Sequence, residues 1–360
     1  MITVIVVENG ASQSSLQKTV GAVAASPSDN VIVIGARPEE VSGDHIDFIT
    51  PSGESIAQML AHAVGRARHN RVLFVDARSR IDSRQLIALM NSTNGRLGAV
   101  AYAPLEISGE CLILPEITTD SLVSIIASQE RWPGVFVAMR ASFAEKFLRT
   151  STGATLLDVM AEGLIQATIE GELVERLHSQ IEVSSFDISS ELCRLSNETR
   201  AALLKLVVNN CNIEDLFPNH AWRAHEEESA AACYHTLAAL FIRFADSDSA
   251  LECLALSDQL EDSPRSLALK GIIALDRGET LGAVANLVSS LQQYELRKKS
   301  DGSHYLSFTP NNLERINSNL NAGLQALNKR NNAQAVEHFA EAVYDFDTFY
   351  TEYGVRVAKP

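Results

Sequence analysis

The chain has 360 residues, 46% of them hydrophobic and 21% charged, a globular composition that excludes a disordered or fibrous protein. At roughly 100–200 residues per domain, that length predicts two domains, each able to bury a core. Its 30 basic and 45 acidic residues leave a net charge of −15, split as 14 against 22 up to position 190 and 16 against 23 beyond it. Neither half has the basic excess that nucleic acid or an anionic membrane surface would require.

The apolar opening, Met1 to Val7, is stopped by Glu8 and preceded by no basic stretch, so it reads as a β-strand rather than a signal peptide. No run approaches the ~20 apolar residues of a membrane span. Cys111, Cys193, Cys211, Cys233 and Cys253 are far apart, and no Cys/His spacing completes a zinc pattern. The expectation is a cytoplasmic chain with free thiols.

The runs ITVIVV (2–7), VIVIG (31–35), IDFIT (46–50), RVLFVD (71–76) and GAVAYA (98–103) read as buried, parallel-type strands. Helical spacing fills 14–25, 54–68 and 83–90, with Ser52 and Ser83 as N-cap candidates. Such alternation predicts a doubly wound α/β sheet. LEISGECLILP (105–115) then reads as a hairpin turning at Ser108-Gly109. A helix (118–128), a strand (135–139), two helices (141–149 and 155–168) and a last strand (181–186) follow.

Beyond Ile188 the pattern is helical and repetitive. Ala238, Ala250, Leu254 and Ser257 share their offsets with Gly271, Ala283, Leu287 and Ser290, and again with Gly323, Ala335, Phe339 and Ala342. Small residues at three of four positions suit two helices whose backbones cross closely. The set resembles the tetratricopeptide repeat over about 231–349, although the spacings are 33 and 52 residues and an insertion occupies roughly 295–313. Chance alignment in an alanine-rich region is the alternative. The resemblance implies recognition of a protein partner; packing within the chain or a homo-oligomer is the competing role.

Phosphate-loop, dinucleotide and nucleophile-elbow motifs are absent. The order of the first-half elements, and GESIAQMLAHAVGRARHNRVLFVDARSRID (53–82) in particular, resembles the donor half of a GT-A-fold glycosyltransferase of the family-2 type. WPGVFVAMRASFAEKF (132–147) is similar to that family's acceptor-side strand and helix, and LLDVMAEGLIQA (156–167) occupies the place of its catalytic-base helix. This resemblance implies a GT-A-like, mostly parallel α/β domain over 1–187, a helical connector over 188–228 and a tetratricopeptide-like domain over 229–360. It implies sugar transfer from a nucleotide-diphosphate donor to an acceptor, which the repeats would recruit if it is a protein. The competing reading is a catalytically inactive relative that binds or scaffolds.

By position, the resemblance makes Asp76 the first acid of the Asp-x-Asp element and Asp158 the general base. Arg78 stands where the second acid would be, which weakens the Mg²⁺ or Mn²⁺ site the family implies, because hard cations want several oxygen ligands. Arg78 and Arg80 are therefore candidates to grip the diphosphate directly. An Asp76–Arg78 pair that is merely structural is the alternative. Trp132 and Gly134 are acceptor-side candidates, with Trp132 equally suited to the core.

Overall fold

The computed structural model describes residues 2–8, 10–25, 30–37, 43–51, 53–78, 100–102, 105–107, 110–112, 116–128, 132, 136–172, 174–176, 181–183, 194–218, 226–300 and 310–346. The chain divides into two compact units, Met1–Leu216 and Phe217–Pro360.

The first unit is built on β1 (Thr3–Val7), α1 (Gln13–Ala24), β2 (Val31–Ile34), β3 (Ile46–Ile49), α2 (Ile56–Gly65), β4 (Arg71–Asp76) and β5 (Val100–Tyr102). Its hairpin strands are β6 (Leu105–Ile107) and β7 (Glu110–Leu112), followed by α3 (Leu122–Ser128), β8 (Phe136–Arg140), α4 (Ala141–Leu148), α5 (Leu156–Ile169), β9 (Val174–Arg176) and β10 (Ile181–Val183). The helices α6 (Asn197–Asn210) and α7 (Ile213–Leu216) complete it.

Seven strands form one sheet in the order β3-β2-β1-β4-β8-β5-β9. The pairs β1–β2, β2–β3, β1–β4 and β5–β9 are parallel, while β8 runs antiparallel to both β4 and β5. The fold is therefore mostly parallel α/β, as expected, with one reversed strand between β4 and β5. Strands β6 and β7 form the hairpin that the sequence predicts, and the parallel addition of β10 makes a separate sheet of three. The turn at 108–109 and the helix expected over 83–90 lie outside the described residues.

Val4, Val6, Val31, Val33, Leu73 and Val75 form one face of the sheet, and Leu16, Val20 and Val23 of α1 pack against it. The period of two then assigns Ile5, Val7, Ile32, Ile34, Phe74 and Asp76 to the opposite face. Both faces are covered, so these strands read as continuous apolar runs. α2 starts at Ser55, whose hydroxyl accepts from the Gln58 N–H while the Gln58 side chain accepts from the Ser55 N–H. That reciprocal cap lies three residues beyond the Ser52 expected from sequence, and Ser52 lies outside the described residues.

Helix α6 is anchored within the first unit by the buried side chain of Arg200. Its Nε and Nη2 donate to the Ile126 carbonyl at 2.9 and 2.7 Å, and Nη2 donates to the Ala127 carbonyl at 2.6 Å. These carbonyls belong to the last turn of α3, where helical acceptors have no intrahelical donor. Residues 194–216 are thus integral to the first unit, whose boundary lies beyond position 187.

The second unit consists of α8 (Glu226–Arg243), α9 (Ser247–Leu260), α10 (Pro264–Asp276), α11 (Thr280–Ser300), α12 (Pro310–Asn328) and α13 (Asn332–Phe346). They pack as three consecutive hairpins, α8 with α9, α10 with α11 and α12 with α13, each hairpin touching the next. All twelve residues of the repeat pattern are buried. The repeat extends to backbone detail. Ala245, Gly278 and Arg330 all have φ near +60 to +75° (63, 74 and 58°) at the turn between the two helices. One residue later, the N–H groups of Asp246, Glu279 and Asn331 donate to the Phe241, Ala274 and Ala326 carbonyls at 2.9, 2.8 and 2.9 Å. Ser257 donates to the Ala231 carbonyl at 3.4 Å, and its repeat equivalent Ser290 donates to the Pro264 carbonyl at 2.6 Å.

No helix among the described residues is long and apolar enough to cross a membrane.

Candidate functional site

The chain leaves β1 outward through β2 to β3, then returns to place β4 on the other side of β1. In an open α/β sheet this reversal opens a crevice at the carboxyl ends of the two central strands, the place where such folds bind ligands. Register aligns Val7 with both Ile34 and Asp76, and Ile34 with Ile49. Glu8, Gly35, Thr50 and Ala77 therefore lie at one level along this rim.

Asp76 closes β4 with no exposed surface. Its Oδ1 accepts from the Arg78 backbone N–H and from Nε, both at 2.9 Å; its Oδ2 accepts from Nε at 3.1 Å and from Nη2. The Arg78 side chain retains 13% exposure. Burying a carboxylate is tolerable here because a guanidinium and an amide N–H replace its water. The residue two positions on is thereby fixed in orientation by the acid that ends the strand.

Glu8, at the end of β1, reaches sideways. Its Oε2 accepts from the Ala36 N–H at 2.8 Å, bridging the ends of β1 and β2. Gly35 makes room for it, since a Cβ there would sit 2.4 Å from Oε2 and 2.7 Å from the Glu8 Cβ. Next along the rim, the exposed Arg37 guanidinium lies over the Phe48 ring, 5.4 Å from its centroid. Sequence reasoning singled out neither Glu8 nor Arg37 as a site residue, although a lone acid and a lone base directly following the first two strands were visible there.

Asp158 is the third residue of α5 and belongs to its cap. Oδ2 accepts from the Thr155 N–H at 2.9 Å and the Thr155 hydroxyl at 2.8 Å, while that hydroxyl's oxygen accepts from the Asp158 N–H at 3.2 Å. Oδ1 accepts from the Thr199 hydroxyl of α6 at 2.9 Å. The residue is only 6% exposed. Both oxygens thus have structural partners, and this carboxylate ties α5 to α6.

Of the sequence candidates, the structure joins Asp76 with Arg78. Asp158 makes its hydrogen bonds to Thr155 and Thr199. Trp132 is completely buried, which fits the core reading and leaves no ring face for a sugar in this conformation. Arg80 and Gly134 lie outside the described residues.

A divalent cation does not fit Asp76 as it stands. Mg²⁺ and Mn²⁺ favour several oxygen ligands, whereas both Asp76 oxygens are engaged by Arg78. Among the described residues, no group of three or more His, Cys, Asp or Glu side chains comes together.

No family model and no curated protein sequence matches the chain. Among solved structures, residues 1–349 of S. aureus TarS align over 97% of this chain and 92% of theirs, at 13% identity and a TM-score of 0.42. The same protein in complex with UDP-GlcNAc gives 12% identity and a TM-score of 0.43, covering 97% of this chain and 93% of that one. The Francisella tularensis 2-C-methyl-D-erythritol 4-phosphate cytidylyltransferase gives 12% identity and a TM-score of 0.35, covering 52% of this chain and 94% of its own.

Proposed function

We propose that this protein binds a nucleotide-diphosphate sugar at the carboxyl ends of β1, β2 and β4 and transfers its sugar to an acceptor. The observation that carries the reading is the strand-order reversal at β1, the position where open α/β sheets bind ligands, with Asp76 and Arg78 at the end of the neighbouring strand. The family-2 resemblance of 53–82 supplies the reaction. The acceptor oxygen bonds to the anomeric carbon, the bond from that carbon to the diphosphate breaks, and the acceptor's proton passes to a base. Negative charge develops on the departing diphosphate, so a fixed cation near it stabilises the transition state.

Asp158 remains the base candidate by resemblance. Its oxygens already accept from Thr155 and Thr199, so an acceptor hydroxyl would have to approach Oδ1 beside Thr199. The tetratricopeptide-like hairpins would present a protein acceptor; their buried small-residue positions support the close helix packing that such a role requires.

One observation favours a second reading, a nucleotide-sugar-binding scaffold without transfer: Asp76 and Asp158 are both occupied by structural partners. A panel of nucleotide sugars separates the two. Donor binding with hydrolysis or transfer supports the enzyme; saturable binding with an unchanged donor supports the scaffold. Absence of binding across the panel rejects both.

A further inference from the structure

Building on the nucleotide-sugar reading, we infer that the donor diphosphate is bound without a divalent cation, by the part of the Arg78 guanidinium that Asp76 leaves unused. A guanidinium has five N–H donors in a rigid plane. Asp76 takes Nε and Nη2, gripping one edge of that plane, and holds the Arg78 backbone through its N–H. Both Nη1 hydrogens and the second Nη2 hydrogen take no part in that grip. One Nη1 hydrogen and that Nη2 hydrogen lie side by side at the end of the plane and can bond two oxygens of a phosphate, for which the planar fork of arginine is suited.

Burial makes the arrangement selective against metal. Asp76 has no exposed surface, and the side chain facing it has only 13%. A cation entering there would have to displace the guanidinium or sit beside it, and like charges repel strongly where water is scarce. The carboxylate's role is then to orient Arg78 and hold its charge at the rim, making Asp76 a positioning residue. Glu8 is already committed to the Ala36 N–H and does not supply the missing oxygen ligands by itself.

The test is calorimetric titration of the full-length protein with UDP and with GDP, in EDTA and again in MnCl₂. Affinities should agree within about twofold between the two conditions, and Arg78→Ala should weaken binding by about 10- to 100-fold, the loss of a charge-assisted contact. Because Arg78→Ala leaves Asp76 buried and unpaired, the neutral pair Asp76→Asn/Arg78→Gln serves as the second variant. It should keep the thermal unfolding midpoint closer to wild type and show the same loss of affinity. Binding that needs Mn²⁺, or that survives in the folded double variant, overturns the inference and leaves the nucleotide-sugar reading standing. Failure of wild type to bind a nucleotide diphosphate in either buffer overturns both.

Discussion

Replacing Asp158 separates the role its geometry shows from the role its sequence position suggests. Asp158→Ala removes the acceptor for the Thr155 N–H and hydroxyl at the start of α5 and for the Thr199 hydroxyl from α6. Loss of the reciprocal arm of this capping box costs about 1 kcal/mol. Loss of a hydrogen bond to a charged, poorly exposed carboxylate adds about 1.5–3 kcal/mol. The expected destabilisation is thus about 2–4 kcal/mol. Asp158→Asn keeps one acceptor oxygen and should lose about 1–2 kcal/mol. Urea denaturation of the full chain, followed by far-UV circular dichroism, measures both. A double-mutant cycle with Thr199→Val should show coupling, because the two side chains share one hydrogen bond. An Asp158→Asn protein of wild-type stability whose turnover is about 10²–10⁴ lower would refute the structural assignment and establish the base.

In Gly271→Ala, the added Cβ would lie 2.7 and 2.9 Å from Leu287 Cγ and Cδ2, and Leu287 is fully buried. Overpacking of about 1–3 kcal/mol should outweigh the ~1 kcal/mol gain in helix propensity, lowering the unfolding midpoint. Arg330→Gly should act in the opposite direction, relieving a positive φ of 58° and raising stability by up to ~1 kcal/mol in the same denaturation assay. Burial raises the Tyr102 pKa from 10.0 to about 12, with Arg176 partly opposing it. The folded state then holds this proton more tightly than the unfolded state. The resulting contribution is complete below pH 10.0 and is lost as pH rises towards about 12, which alkaline unfolding compared between wild type and Tyr102→Phe would reveal.

The first four strands are legible because each is a short run dominated by apolar residues, most of them β-branched or aromatic. β4 appears at 71–76, as expected. The reversal of β8 is not legible, since FVAMR has no residue that distinguishes an antiparallel from a parallel neighbour. β9 is not legible because VER is three residues long and two-thirds charged. The repeat is visible through its small residues, but its turns are hidden: Ala245 and Arg330 adopt the left-handed conformation that only Gly278 advertises. At the site, Thr155-Leu-Leu-Asp158 has the spacing of a capping box, a local explanation for the acid that requires no catalytic role. The commitment of Arg78 to Asp76 is legible only as one of two alternatives. Two residues of separation at a strand end permit that contact without specifying which oxygens it uses.

The central claim is that a nucleotide diphosphate occupies the crevice where the strand order reverses. A crystal structure of the full-length protein, grown in EDTA with the nucleotide-diphosphate sugar that binds best in the donor panel, tests it most directly. The diphosphate should lie at the carboxyl ends of β1 and β4, its oxygens within hydrogen-bond reach of Arg78 Nη1, with Asp76 still holding Nε and Nη2. Ligand density elsewhere on the chain, or a diphosphate at this rim that ignores Arg78, would contradict it.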